Sequence, residues 1–157
     1  MGQRIYKMIF DNVSIAAIQD VLSMKAGAAN GIEIHQIDLS AGGVTSPAEI
    51  RLRLKRLSAA VTQGTGGTVL TPSSADSGDT KASTATVRAN DTAQATTTGT
   101  TTFLGAWQWN VLLPWQYLPA PEDRDVCQGG EAFVLDIPTA PGAATLVSCT
   151  LAYRELP

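Results

Sequence analysis

EIRLRLKRL, residues Glu49–Leu57, decides the fold class. Ile50, Leu52 and Leu54 share one parity and Arg51, Arg53 and Lys55 the other. A pleated strand sends alternate residues to opposite faces, so three aliphatics point toward a core and three cations away from it. With Arg56, the stretch holds four of the chain's eleven basic side chains in six consecutive positions. Such a stripe is either a nucleic-acid surface or the solvated or subunit-facing side of a sheet. A groove for single-stranded nucleic acid interleaves cations with exposed stacking aromatics, and this strand carries none beside its charges. The expected partners are therefore a neighbouring subunit, or acidic residues on an adjacent strand such as Glu33 or Asp38.

Working outward, Arg4–Phe10 reads as a first strand closed by the turn-prone Asp11 and Asn12. SIAAIQDVLSM, starting at Ser14, has both helical spacing and strand alternation; a strand from Gln19 to Ala26 is the preferred reading. In GIEIHQIDLSAGG the apolar parity shifts between Ile34 and Ile37, which predicts a strand with a bulge. A turn at Gly42, Gly43 and Pro47 then leads into the opening stretch. TFLGAWQWNVLLPWQYLP, from Thr102, is the strongest strand: Phe103, Trp107, Trp109 and Val111 share one parity and Pro114 ends the run. AFVLDIP and TLVSCTLAYREL complete the chain as strands separated by TAPGAA.

Between these, residues 62–102 turn to Thr, Ser, Gly, Ala and Asp. A structureless linker of that length inside a small domain would be unusual. STATVRAN, Ser83–Asn90, supplies a short strand within it, flanked by long loops around 62–82 and 91–101. Eight strand candidates punctuated by turns predict one all-β domain over residues 1–157, an antiparallel sandwich.

The 157 residues suffice for a continuous core without metal or several disulfides. Fourteen acidic against eleven basic side chains give a net charge of -3, so no overall field attracts a polyanion. Cys127 and Cys149 are too few for a disulfide framework and form no C-x-x-C pair. The start shows neither a cleavable leader nor a myristoylation pattern, because Tyr6 stands where Ser or Thr is required. No apolar run approaches the ~18 residues of a membrane span. A chain made in a reducing cytoplasm is the resulting expectation.

Enzyme chemistry finds little purchase. His35 is the only histidine, it lies in an alternating strand, and no G-x-S-x-G or comparable nucleophile motif accompanies it. Three His and Cys residues, none closely spaced, do not make a zinc or iron site. EDRD, Glu122–Asp125, lacks the spaced oxygens of a calcium loop, and GTGGT from Gly64 lacks the lysine of a phosphate loop. No cofactor is expected. Trp107 and Trp109 read as core. Trp115, beyond the proline, reads equally as core or as an exposed contact, and Tyr117 is the other candidate for such a contact platform.

The order MIFDNVSI, QDVLSMKA, IEIHQIDLS, EIRLRLKRL, SSADSGD, TATVRANDTAQAT and YLPAPEDRDV through LDIPTAPGAATLVSCTLAYREL resembles small proteins of tailed bacteriophages and prophages, over nearly the whole chain. The resemblance implies a jelly-roll-like β-sandwich in the virion, a capsid decoration or cement protein bound to the major capsid protein. It transfers no site residues. A trimer is the natural oligomer if the protein sits at shell symmetry axes. The competing reading is a tail-associated jelly roll that holds a cell-surface glycan through Trp115 or Tyr117. Arg51, Arg53 and Lys55 are the other expected partner contacts, and the Thr-rich loops suit outward display.

Overall fold

The computed structural model describes residues 4–44, 46 and 48–157. Pro47, part of the expected turn, and the first three residues lie outside them. Among the described residues the strands are β1 (Arg4–Ile15), β2 (Gln19–Lys25), β3 (Gly31–Gly42), β4 (Glu49–Leu57), β5 (Thr68–Leu70), β6 (Ser73–Ser74), β7 (Thr86–Asp91), β8 (Thr101–Asn110), β9 (Trp115–Tyr117), β10 (Val126–Cys127), β11 (Ala132–Ile137) and β12 (Thr145–Leu156). A single 3-10 turn, Pro121–Asp123, is the helical element among them.

The topology follows from treating the chain as one long hairpin. The outbound strands β1, β2, β3 and β4 pair antiparallel with the returning β12, β11, β9 and β8 respectively. Rolling that ribbon brings β12 against β3 and β11 against β4. Two six-stranded sheets result, one ordered β10-β3-β12-β1-β6 with β9 also on β3, the other β5-β7-β2-β11-β4-β8. Along each arm of that ribbon, β1 to β4 outbound and β8, β9, β11, β12 returning, successive strands alternate between sheets, which is the jelly-roll arrangement of two interlocked Greek keys. The sequence expectation of an antiparallel sandwich of about eight strands thus matches, with one exchange. The returning partner of β3 is the short β9, whereas β7, counted among the eight, is an addition beside β2.

The core lies between the sheets and comes from alternation. Tyr6, Met8 and Phe10 of β1, Ile32, Ile34, Ile37 and Leu39 of β3, and Ile50, Leu52 and Leu54 of β4 are all buried. Full burial of each aliphatic of this size contributes about 1.5–3 kcal/mol. The bulge expected in β3 occurs at His35, where register passes from Ile34 opposite Tyr153 to Gln36 opposite Ala152. Asp11 and Asn12 do not end β1. Asn12 takes a left-handed φ of 52°, the pairing with β12 shifts between Phe10 and Val13, and the strand runs on to Ile15. Asparagine tolerates that conformation well enough for a bulge to replace the expected turn.

A second shift corrects β8. Its register against β4 slips between Leu54 and Lys55, which leaves Leu104 as the extra residue between Gly105 and Phe103. Side chains beyond the slip change face, so Trp109 is buried while Phe103, expected on the same face, is 59% exposed. Leu104 packs against the core instead.

Residues 58–100, between β4 and β8, lie against the sandwich, and most of their Thr-rich stretches are exposed. Two isolated antiparallel bridges, Thr62 to Thr96 and Thr65 to Ala93, tie the two arms of the excursion together. The arms lie over the outer side of the second sheet, where Leu57, Val61, Ala95, Ala132 and Val134 form a small second core. A Cβ on Gly67 would stand 2.1 Å from the Ala89 carbonyl oxygen and one on Gly64 2.2 Å from that of Ala93, so GTGGT provides close backbone approach.

Candidate functional site

The basic stripe divides once it is placed. Arg51 is exposed, opposite Gln108 of β8. Arg53 is half-buried: its Nε donates to Asp136 Oδ1 at 3.0 Å and its Nη2 to Oδ2 at 2.7 Å, while the guanidinium lies 5.0 Å from the centre of the Phe103 ring. Lys55 is only 7% exposed, and its Nζ donates to Asp136 Oδ2 at 3.0 Å. Arg56 donates from Nη1 to the Val126 carbonyl at 2.9 Å. All three cations lie on the face away from the main core, as expected, but Arg51 alone is exposed there. Pairing with Glu33 or Asp38 is corrected, because β3 belongs to the opposite sheet; the acid on the strand beside β4 is Asp136 of β11, and Asp20 of β2 lies one strand further.

Those acids form a buried cluster under the 58–100 excursion. Asp136 of β11 and Asp20 of β2 stand opposite each other in the register, on the side away from the main core. Lys55 Nζ lies 3.9 Å from Asp20 Oδ1. Gln94, carried in by the excursion, places Nε2 3.3 Å from both Asp20 Oδ1 and Asp136 Oδ2. The Ala95 backbone N–H donates to Asp20 Oδ2 at 2.6 Å. Burial pushes the Asp20 carboxyl up to about 6 against the pull of Ala95 and Lys55. Burial acts the same way on Asp136, but hydrogen bonds from Arg53 and Lys55 outweigh it and hold that carboxyl below its ordinary value.

A second polar cluster occupies the outer side of the first sheet. Glu33 of β3 accepts from Arg154 Nη2 at 2.6 Å, and its Oε1 lies 2.9 Å from His35 Nε2 and 3.4 Å from Arg124 Nη1. Burial would raise Glu33, but Arg154 and His35 outweigh it and leave the carboxyl low. Burial and Arg124 hold His35 below its ordinary value despite Glu33. The lone histidine is thus tied into an ion-pair network. Of the EDRD stretch, Arg124 joins this network and Asp125 accepts from the Tyr117 hydroxyl. Among the described residues, no group of three or more His, Cys, Asp or Glu side chains is placed to hold a metal ion.

The aromatics gather where β8 and β9 bring the two sheets together. Trp107 meets Trp115 edge-on at 5.1 Å between ring centres and Tyr117 at 5.8 Å. Trp115 is 8% exposed, so of its two readings the structure takes core. Tyr117 is half-buried with its hydroxyl engaged. Trp109 donates Nε1–H to the Leu113 carbonyl at 2.7 Å and so fixes the tight turn after β8. That turn leaves Leu112 and Leu113 exposed, and Leu118 beyond β9 is exposed as well. β8 itself is an edge strand of ten residues without a charge, paired on one side only. A shallow groove of about 490 Å³ lies elsewhere, between the ends of β3 and β4 and the loop before β12, with Ile50, Pro141 and Leu146 among its lining.

Sequence reasoning singled out the cations and missed their buried acids, Asp20 and Asp136, and the amide of Gln94. The available signal was a lone acid interrupting an apolar run, in QDVLS and AFVLDIP. The fold and its surfaces define a jelly-roll sandwich with an apolar, uncharged edge and a buried, charged outer layer. No protein-family model matches the chain, and no match is found among curated proteins or solved structures.

Proposed function

We propose that this chain is a structural virion protein of a tailed bacteriophage, a capsid decoration or cement protein that binds the icosahedral shell and stabilises it. The observation that carries the reading is the β8 edge with its corner: an uncharged ten-residue strand open on one side, exposed Phe103, and exposed Leu112, Leu113 and Leu118 beside it. Soluble monomers blunt long edge strands with charge, proline or a covering element, so an unprotected edge beside apolar side chains suits a subunit contact. The sequence resemblance to tailed-phage proteins points the same way.

In this reading the partners are the major capsid protein and further copies of the chain, with a trimer as the expected oligomer. The protein is made in the bacterial cytoplasm and ends on the capsid surface. It needs no cofactor and catalyses no reaction. Many copies, each with a modest interface, together resist the outward pressure of packaged DNA. The tail-associated glycan reading draws less support, because a stacking platform needs an open ring face and Trp115 is packed against Trp107.

The test is the copy number of the chain in purified particles, by quantitative mass spectrometry against the major shell protein. Copies comparable in number to shell subunits are expected. A handful per particle would shift the protein to the tail, and absence from particles would overturn the virion reading.

A further inference from the structure

We propose that Lys55 and Asp20 condense spontaneously to an amide, a covalent cross-link between β4 and β2 that spans the intervening β11. The inference is independent of the virion reading. Four features converge on it. The nucleophile, electrophile and base are brought together by three strands that lie side by side, β2, β11 and β4. Lys55 Nζ lies 3.9 Å from Asp20 Oδ1, an oxygen bonded to the Cγ that the amine would attack, and attack needs Nζ within roughly 3–3.5 Å of that carbon. Asp136, 3.0 Å from the same nitrogen, is placed to take its proton. Asp20 carries N–H donors on both carboxyl oxygens, Ala95 on Oδ2 and Gln94 on Oδ1, as stabilisation of a developing oxyanion requires.

The two carboxyls are differentiated for these roles. Asp136 is gripped by both hydrogen bonds of Arg53, which favours the carboxylate and makes it a poor electrophile. Asp20 has no such cation; burial raises it and so favours the neutral acid, which has a competent leaving group. Lys55 is screened from water by the 58–100 excursion.

The steps balance without another reactant. The Lys55 ammonium gives one proton to Asp136, and the amine adds to Asp20 Cγ to form the C–N bond. A second proton passes from that nitrogen to the Asp20 hydroxyl, the C–O bond breaks and one water leaves. The carbonyl re-forms, and Asp136 releases its proton to solvent.

The experiment is the intact mass of the full-length protein, purified and denatured, with allowance for removal of Met1. The expected mass is one water below that of the sequence, and proteolysis should release a branched peptide joining the Lys55 and Asp20 segments. Lys55→Arg should carry the full sequence mass, Asp20→Asn should lose ammonia in place of water, and Asp136→Asn should stay uncondensed while circular dichroism reports a folded chain. A wild-type protein at full sequence mass overturns the proposal and leaves the cluster an ion-pair network. So does a water loss confined to one linear peptide. Because the wild-type chain alone decides this, a variant that fails to fold leaves the test intact.

Discussion

Arg53 closes on Asp136 through two parallel hydrogen bonds, 3.0 and 2.7 Å, across neighbouring strands on the side of the sheet away from the main core. The carboxyl side chain has no solvent exposure, and Lys55 approaches it from the same strand as Arg53. Three cations that look equivalent in sequence therefore carry different weights. Reversing exposed Arg51 to Glu is expected to change stability by about 0.5 kcal/mol or less. Lys55→Glu would place a third carboxyl against two buried ones and cost on the order of 3–5 kcal/mol, the usual consequence of breaking a buried pair. Urea unfolding of both variants checks the contrast; equal losses would mean that Lys55 is not buried in its pair.

The same reasoning makes acid stability depend on the opposite sheet. Glu33 is held low, so its contribution is fully present above the unfolded carboxyl value near ~4.3 and is lost as pH falls through the lower folded value. His35 is also held low. The unfolded chain takes up the histidine proton first, and stability begins to fall as pH drops below about 6.5. Glu33→Gln is expected to cost about 1.5–3 kcal/mol at pH 7, because charged hydrogen bonds to Arg154 and Arg124 are lost. The gap between variant and wild type should then narrow below pH 4. Unfolding curves across pH test this, and a gap constant into acid would rule out the network as its source.

The sandwich was legible because period-two burial needs only local sequence. Ile50, Leu52 and Leu54 declared their face without knowledge of their neighbours. What local pattern could not carry was pairing. Glu33 and Asp136 are equally plausible partners for Lys55 until the rolled ribbon assigns β3 and β11 to different sheets. The face of Phe103 was lost for a related reason, since one inserted residue, Leu104, reverses every parity beyond it. Trp115 was undecidable because a three-residue strand after a proline has too short a pattern to show a period.

The Thr-rich excursion is held down at named points, and one of them is a single carboxylate. Glu155 Oε1 accepts from Ser83 Oγ at 2.6 Å, Thr84 N–H at 2.6 Å, Thr84 Oγ1 at 3.1 Å and Ala85 N–H at 3.1 Å. Glu155→Ala removes all four and should raise hydrogen exchange in residues 83–85 well above that in β12. Gly67→Ala should act at the far arm, since its Cβ meets backbone that cannot yield, at a cost of about 1–3 kcal/mol. A neutral Gly67→Ala by thermal unfolding would mean that the arm does not press on β7.

Cys127 and Cys149 both pair with β3, opposite Ile32 and Leu39 respectively. Seven residues along a strand separate those positions by about 23 Å, far beyond disulfide reach. Both thiols are free and buried, and burial raises them, Cys127 to about 12, so neither offers a thiolate near neutral pH. Each also sits in the main core, where a bulky adduct has no room. The native protein is therefore expected to leave both cysteines unmodified by a chromogenic disulfide reagent at pH 8, and to release two equivalents of thiol once guanidinium unfolds it. Rapid reaction of one thiol in the folded state would mean that the sheet edge at β10 opens, since Cys127 lies on that two-residue edge strand.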